Sequence, residues 1–276
     1  MTNDKILDGR VAVVTGASSG IGRAIGEKLA AAGAEVHLLG RAEDALEASA
    51  ERIRDAGGSA TSTVLDVRDS EKLSAFVKNV AVTAGHLDIM VNNAGVSRNN
   101  KILDGTLAEW QELLEVNVLA LLVGSQAAVQ AMRATDSGGH IINISSTTAL
   151  RPDSGVYGAT KAAVSYISEG LRQELEGDKI RVTALLPGAV STNAARNFTP
   201  DVVKQIGALA GTELDIVPGQ RLPEDVLIAA QSALQNHIAQ PEDMADAVLY
   251  VLQQPLRLNI AQLVVRPAQT MAVRAN

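Results

Sequence analysis

The chain lacks cysteine altogether, which excludes disulfide bonds and metal sites built on thiolates. Its four histidines stand far apart in the sequence and show no spacing typical of metal ligands. They are His37, His86, His140 and His237. We therefore expect no metal site in this protein.

Basic residues are in the minority, with 24 Lys and Arg against 31 Asp and Glu and a formal net charge of −7. Lys and Arg form no cluster, so neither a nucleic acid nor an anionic membrane is expected as a partner. Residues 1–8 are polar and carry charges of both signs, which differs from the apolar core of a signal peptide. We expect a cytoplasmic protein.

Short apolar runs alternate with segments of helical periodicity along most of the 276 residues. Strands are predicted at 10–16, 35–39, 60–65, 88–91, 141–144, 180–186 and 263–266. Helices are predicted at 23–32, 43–56, 70–84 with Ser70 as N-cap, 106–133, 157–175 and from 241 onward. This alternation predicts an α/β fold, a Rossmann-type doubly wound and mainly parallel sheet with helices on both faces. We expect residues 1–276 to form a single domain.

The first predicted strand ends in a glycine-rich turn, Thr-Gly-Ala-Ser-Ser-Gly-Ile-Gly at residues 15–22, before an alanine-rich amphipathic helix. Glycines let the backbone approach a ligand closely, and the following helix N-terminus offers free N–H groups to a phosphate. Such turns also occur for purely structural reasons. Here the strand before the turn and the helix after it are the context that a dinucleotide site requires.

Tyr157 and Lys161 lie four residues apart, so both face one side of the predicted helix. A neighbouring ammonium favours the phenolate, and we expect Lys161 to lower the pKa of Tyr157 so that the phenol serves as an acid and base near neutral pH. A serine at the end of strand 141–144 could hydrogen-bond a substrate oxygen. Ser145 and Ser146 are adjacent, and only one can face the substrate because successive strand residues point to opposite sides.

Five motifs in order along nearly the whole chain resemble the short-chain dehydrogenase/reductase family. The turn at residues 15–22 is similar to the family's Thr-Gly-x-x-x-Gly-x-Gly, and residues 92–95 to its Asn-Asn-Ala-Gly. Residues 157–161 are similar to its Tyr-x-x-x-Lys pair, residues 187–192 to its Pro-Gly segment, and Asn117 to its helix asparagine. The resemblance implies an oxidoreductase that transfers a hydride between NADP(H) and a ketone or secondary alcohol.

The same resemblance implies a catalytic tetrad of Asn117, Ser146, Tyr157 and Lys161. Tyr157 would be the general acid and base, Lys161 would also bind the nicotinamide ribose, and Ser146 is selected over Ser145 by the match to the family's strand end. Asn117 would hold a water in a proton relay behind Lys161; alternatively, it is a buried amide that ties its helix to its neighbours. The alternative function is a catalytically silent NADP-binding sensor or structural relative, for which a damaged tetrad would be typical.

Cofactor choice depends on the residue after the second strand, where an acidic side chain would repel a 2′-phosphate and an arginine would attract it. Arg41 stands near this position, so we expect NADP over NAD, unless Arg41 is only a solvated surface charge. By resemblance, Asp66 would reach the adenine, Asn93 the backbone around the cofactor, and Val190 with Thr192 the nicotinamide end. The full set of cofactor-binding residues implied is Gly16, Ser18, Ser19, Ile21, Arg41, Asp66, Val67, Asn93, Tyr157, Lys161, Val190 and Thr192.

The predicted helix at 106–133 is apolar almost all round between residues 116 and 123. Polar residues at Glu115, Asn117 and Gln126 interrupt it, so we do not expect it to span a bilayer. A helix without a polar face must be covered on more than one side, which predicts packing on the sheet and against another subunit. The family resemblance implies a homodimer or a homotetramer.

Residues 191–240 follow the Pro-Gly segment and contain two amphipathic runs separated by Gly211, Pro218-Gly219 and Pro223. Because ligands bind outside the carboxyl ends of the strands, where this segment emerges, we predict a substrate lid. The equally weighted alternative is that both runs pack on the body or on a partner subunit. The apolar side chains of the segment predict a medium-sized, mostly apolar ketone or secondary alcohol as substrate.

Overall fold

The structure is a computed structural model that describes residues 5–98, 101–192 and 238–269. Nearly all of the predicted lid at 191–240 lies outside these residues, so the lid stays a prediction. The assignment of residues 1–276 to one domain stays a prediction for the same reason.

The described strands form one seven-stranded sheet in which every neighbouring pair is parallel. Their order is β3-β2-β1-β4-β5-β6-β7, which confirms the predicted doubly wound α/β architecture. The strands are β1 Val11–Thr15, β2 Glu35–Gly40, β3 Ser59–Val64, β4 Ile89–Asn92, β5 Gly139–Ile144, β6 Ile180–Pro187 and β7 Gln262–Val265.

Helices cover both faces of this sheet, and each face has its own apolar core. In β1, Ala12 and Val14 belong to one core, whereas Val11 and Val13 belong to the other. A strand buried on both sides is a continuous apolar run, which is why such strands are recognisable in the sequence. The helices are α1 Gly20–Ala31, α2 Glu43–Asp55, α3 Ser70–Ala84, α4 Leu107–Leu114, α5 Ala120–Ala134, α6 Gly155–Glu174 and α7 Pro241–Leu252.

The bounds of α3 are those predicted, but its N-cap differs by one residue. The N-cap is Asp69 and not Ser70, because the Asp69 carboxylate accepts a hydrogen bond of 3.1 Å from the Lys72 backbone N–H. Both residue types are good N-caps, and only the backbone path decides between neighbours.

The long helix predicted at 106–133 is present but is not one continuous α-helix. Thr106 caps α4 in a capping box with Glu109, and a π-helical turn at Glu115–Leu119 then separates α4 from α5. A π-helical turn contains one residue more than an α-helical turn, but it needs no particular residue types. The periodicity of the apolar residues therefore does not reveal where it occurs.

The combined helix Leu107–Ala134 is long and apolar enough, by length and composition, to cross a membrane. We expected the polar residues of this helix to exclude a membrane span, but by length and composition alone they do not. However, 56% of its most apolar window is buried inside the fold, which is typical of a core helix in a sheet-based domain.

Candidate active site

Six of the predicted site residues gather at one edge of the sheet because each follows the carboxyl end of a parallel strand. The sheet order reverses between β1 and β4, and ligands of doubly wound folds bind outside the strand ends at such a switch point. One predicted residue follows each of the first six strands: Gly16, Arg41, Asp66, Asn93, Ser146 and Val190.

The turn after β1 requires glycine at two positions. Gly16 has φ +68°, and a Cβ at Gly22 would lie 2.3 Å from Asn93 Nδ2 and 2.4 Å from the Gly16 carbonyl oxygen. The N-cap Ser19 has extended backbone and, among the described residues, its side chain accepts no capping hydrogen bond. The N–H groups at the start of α1 are thus left to a ligand, and with no acidic residue in the first turn they suit a phosphate.

Asn93 joins this turn to the loop after β4. Its Nδ2 donates to the Thr15 carbonyl at 2.9 Å and to the Gly16 carbonyl at 3.2 Å. Thr15 Oγ1 in turn accepts from the Asn93 and Ala94 backbone N–H groups, at 3.0 Å each. Asn93 therefore contacts the backbone of the glycine turn, and its role in cofactor binding stays a prediction. Thr15 supports the same turn, which the sequence did not reveal.

Two arginines lie on either side of Asp66 at the ends of β2 and β3. Arg68 binds the Asp66 carboxylate through Nε and Nη2, at 3.0 and 2.6 Å to the same oxygen. Arg41 Nη1 is 3.9 Å from that oxygen and its side chain is 53% exposed. Hydrogen bonding to Arg68 lowers the pKa of Asp66, with a smaller contribution from the charge of Arg41. Sequence reasoning missed Arg68, although a basic residue two positions after Asp66 was the available signal.

Three other predicted cofactor residues line this end of the cleft or support it. Ser18 lies against the end of β2, with its Cβ 3.4 Å from where a Cβ of Gly40 would be. Val67, in the loop after β3, is buried in one apolar core, and Ile21 packs against the other.

Val190 and Thr192 lie in the segment after β6. Val190 forms an isolated parallel bridge with Ala239, just before α7. Thr192 Cγ2 is 3.2 Å from where a Cβ of Gly20 would be, so Thr192 lies beside the N-terminus of α1. The segment after β6 thus comes back to the glycine turn.

Ser146 and Tyr157 are brought together by β5 and α6. Their side chains are hydrogen-bonded, and Ser146 Oγ also accepts from the Thr148 backbone N–H at 3.2 Å. Ser145 points the other way, since its hydroxyl donates to the Lys161 carbonyl oxygen at 2.8 Å. The structure therefore places Ser146, and not Ser145, beside the phenol.

Burial raises the pKa of Tyr157, and the hydrogen bond to Ser146 opposes this rise without cancelling it. The expectation that the pKa of Tyr157 is lowered is therefore wrong for this structure, in which Lys161 is not among the causes of the shift. Lys161 is itself buried, its Nζ donates to the Ile144 carbonyl at 2.8 Å, and burial lowers its pKa to about 8. The apolar surroundings disfavour the charged form of both groups.

Asn117 lies in the π turn and bonds the loop after β4 from both ends of its amide. Its Oδ1 accepts from Val96 N–H at 2.8 Å, while its Nδ2 donates to the Val96 carbonyl at 2.9 Å and to Thr160 Oγ1 at 3.1 Å. It is thus a buried amide that ties its helix to its neighbours. Asn117 Oδ1 and Lys161 Nζ both lie within 3.4 Å of where a Cβ of Gly95 would be, so the Asn117 amide also lies close to the Lys161 ammonium.

The cleft therefore combines a phosphate-compatible turn at one end with a hydrogen-bonded serine and tyrosine at the other. A buried cation and an asparagine lie behind the tyrosine. Such a cleft can hold a dinucleotide along the strand ends and can give a proton to, or take one from, an oxygen at Tyr157. The described residues contain no cluster of His, Asp or Glu that could hold a metal ion.

Comparison with known proteins assigns this architecture to a family. The family model described as short chain dehydrogenase matches residues 10–202. An uncharacterized oxidoreductase of Staphylococcus aureus (strain MRSA252) is 34% identical over 264 residues, 95% of this chain and 99% of that protein.

Two solved structures show the same fold over almost the full length. A metagenomic short-chain oxidoreductase in complex with NADP is 32% identical, with a TM-score of 0.73 over 95% of this chain and 99% of that one. An alcohol dehydrogenase from Thermococcus sibiricus complexed with 5-hydroxy-NADP is 26% identical, with a TM-score of 0.75 over 95% of this chain and 98% of that one. The chain therefore belongs to the short chain dehydrogenase family of oxidoreductases.

Proposed function

We propose that the protein transfers a hydride between NADP(H) and a ketone or secondary alcohol, with Tyr157 as the general acid and base. The observation that carries this proposal is the hydrogen bond between Ser146 and a partly buried Tyr157, beside a buried Lys161, at the carboxyl edge of a dinucleotide-type sheet. The NADP complexes of two structural relatives support the choice of cofactor.

When bound, the nicotinamide nucleotide would supply the hydride to a carbonyl carbon or accept it from an alcohol carbon. Tyr157 would donate its phenolic proton to the substrate oxygen as charge develops there, and Ser146 would hydrogen-bond the same oxygen. Since burial raises the pKa of Tyr157, the phenol is protonated at neutral pH. A protonated acid suits reduction, so we propose the ketone as the substrate at neutral pH.

Lys161 and Asn117 would act behind the tyrosine. The Lys161 ammonium, held by the Ile144 carbonyl, would bind the nicotinamide ribose and restore the proton of Tyr157. Asn117 keeps the loop after β4 in place through Val96 and would hold the water from which Lys161 recovers a proton. The turn at Gly16 to Gly22 would hold the pyrophosphate on the N–H groups of α1.

The function is tested by following NADPH absorbance with a panel of apolar ketones of graded size. We expect oxidation of NADPH, fastest with medium-sized ketones. Binding of NADPH without oxidation by any ketone, and without reduction of NADP by the matching alcohols, would instead support the sensor alternative.

Preference for NADP over NAD is proposed from the charges at the ends of β2 and β3. Asp66 is engaged by Arg68, so its carboxylate is neutralised where a 2′-phosphate would otherwise be repelled. The Arg41 guanidinium is 3.9 Å from Asp66, too far for a hydrogen bond with this carboxylate, and is half exposed. It is therefore available to a phosphate, with which a guanidinium forms charge-assisted hydrogen bonds.

Replacing Arg41 by Gln is expected to weaken NADPH binding by about tenfold or more while NADH binding stays nearly constant, because only the 2′-phosphate loses a charged partner. Arg41→Asp should reverse the preference. Nucleotide fluorescence titrations measure both affinities. Arg133→Gln serves as the control, since Arg133 is a similarly exposed arginine paired with Asp178 at the far end of α5. Equal loss of NADPH and NADH affinity in Arg41→Gln would contradict NADP selection.

Self-association is proposed through the helix Leu107–Ala134, which is buried on one side and exposes several leucines on the other. Its exposed leucines include Leu114, Leu119 and Leu122. A row of exposed leucines on one helix is typical of an interface between protein chains. A homodimer or a homotetramer would cover it.

The double variant Leu119→Glu, Leu122→Glu is expected to convert the oligomer to monomers, because it places two carboxylates in an apolar interface. Light scattering of the purified proteins measures their molar mass and thereby the number of chains in each particle. Val82→Glu is the matched control, since Val82 is 80% exposed on α3 and lies outside the proposed interface. A monomeric wild-type protein would remove this proposal.

A further inference from the structure

The two adjacent serines at the end of β5 have separate environments, and the proposed chemistry uses only one of them. Ser146 bonds the phenol of Tyr157. Ser145 is buried, and its hydroxyl donates to the backbone carbonyl of Lys161 at 2.8 Å. Ser145, at the end of β5, thus contacts Lys161 in α6.

Two consecutive residues at the end of β5 bind Lys161, one at its side chain and one at its backbone carbonyl. Its Nζ donates to the Ile144 carbonyl at 2.8 Å, while its carbonyl accepts from the Ser145 hydroxyl. Burial is the cause that lowers the pKa of Lys161, and no charged side chain of the described residues contributes to this shift. The place of the ammonium therefore depends on these two hydrogen bonds and on packing.

The Ser145 hydroxyl lies in a small hydrogen-bonded group with Ser165. The two hydroxyl oxygens are 2.9 Å apart and either can be the donor, while the Ser165 hydroxyl also lies within 3.3 Å of the Lys161 carbonyl oxygen. The backbone N–H of Ser145 donates to the Leu185 carbonyl of β6. Ser145 is therefore anchored in the sheet and can hold α6 at the position of Lys161.

We propose that Ser145 is a positioning residue that sets the location of the Lys161 ammonium behind Tyr157. A second buried contact between the same two elements provides a comparison, because Asn143 of β5 donates to Ser168 Oγ at 2.9 Å. Ser168 lies seven residues, about two turns, beyond Lys161 in α6. Both contacts join β5 to α6, but only that of Ser145 is made at the lysine. The proposal depends on the function proposed above, in which Lys161 serves Tyr157.

The test compares Ser145→Ala with Ser168→Ala in the full-length protein. Each removes one buried hydroxyl that joins α6 to β5, so similar losses of melting temperature are expected. Only Ser145→Ala should lower kcat, by about tenfold or more, because a small displacement of a catalytic group is enough to slow the reaction. Its KM for the ketone should change little.

The pH dependence of kcat gives a readout that a purely structural role would not move. Water that enters around a loosened Lys161 reduces the burial that lowers its pKa, so the alkaline limb should move to higher pH in Ser145→Ala. Ser168→Ala should keep the wild-type profile. Ser145→Thr, which keeps a hydroxyl, should recover most of kcat. If Ser145→Ala does not fold, Ser145→Cys takes its place with the same expectations.

Equal kcat and equal pH profiles in Ser145→Ala and Ser168→Ala would overturn the proposal and leave Ser145 as a stabilising contact only. Failure of the underlying function is distinguishable from this result. In that case Tyr157→Phe would keep its turnover, whereas failure of the positioning role alone leaves Tyr157→Phe inactive.

Discussion

Tyr157→Phe is expected to lower turnover by about a thousandfold and to leave nucleotide affinity essentially unchanged. The substitution removes only the phenolic oxygen, which is hydrogen-bonded to Ser146 and is the proposed proton donor. The ring stays in place, so the cleft that receives the nucleotide keeps its shape. Single-turnover oxidation of NADPH measures the chemical step, and fluorescence titration measures the affinity.

Tyr166→Phe is the matched control for this variant. Tyr166 lies on the same helix but is 84% exposed, so loss of its hydroxyl should change neither turnover nor affinity. Substantial turnover by a folded Tyr157→Phe protein would remove the proposed mechanism. Loss of nucleotide binding by the same variant would show that the phenol serves binding and not proton transfer.

Gly22→Ala is expected to abolish nucleotide binding and to lower the free energy of unfolding by about 1–3 kcal/mol. The added methyl group would lie 2.4 Å from the Gly16 carbonyl oxygen and 2.3 Å from Asn93 Nδ2. The carbonyl belongs to the backbone of the turn and cannot rotate away, so the turn itself must open. Nucleotide titration and denaturant unfolding measure the two effects.

Gly170→Ala provides the control with the same change of residue. Gly170 is in α6, and no heavy atom of the described residues lies within 4 Å of the position of its added Cβ. Alanine should stabilise this helix by about 0.5–1 kcal/mol and leave binding unaltered. Gly22→Ala with normal nucleotide affinity would show that the turn adapts and is not the phosphate site.

Much of the fold could be predicted because each element has a local cause. Strand β1 is a run of mostly β-branched residues buried on both sides, and the glycines that follow it permit a turn that other residues would block. The residues after successive parallel strands must meet at one edge of the sheet. The motifs at Gly16, Asn93 and Ser146 could therefore be placed together from the amino-acid sequence alone.

Other features depend on distances that no local pattern contains. The alternation of side chains along β5 does not tell which of Ser145 and Ser146 faces the site. Only the position of α6 decides that Ser145 contacts Lys161 and Ser146 contacts Tyr157. The pKa of Tyr157 rises because burial outweighs other effects, and burial is a sum over neighbours from the whole chain. The pairing of Arg68 with Asp66 likewise depends on side-chain directions in a loop.

The hydrogen bonds from Asn93 to Thr15 join residues 78 positions apart in sequence. The glycine turn therefore keeps its shape only after β4 has paired with β1, which is a slow, long-range step of folding. A chain that has formed only β1 to β3 has the strand, the turn and the first helix but not this support. Recovery of nucleotide binding during refolding should accordingly report the completed centre of the sheet, and added nucleotide should favour the complete sheet by mass action.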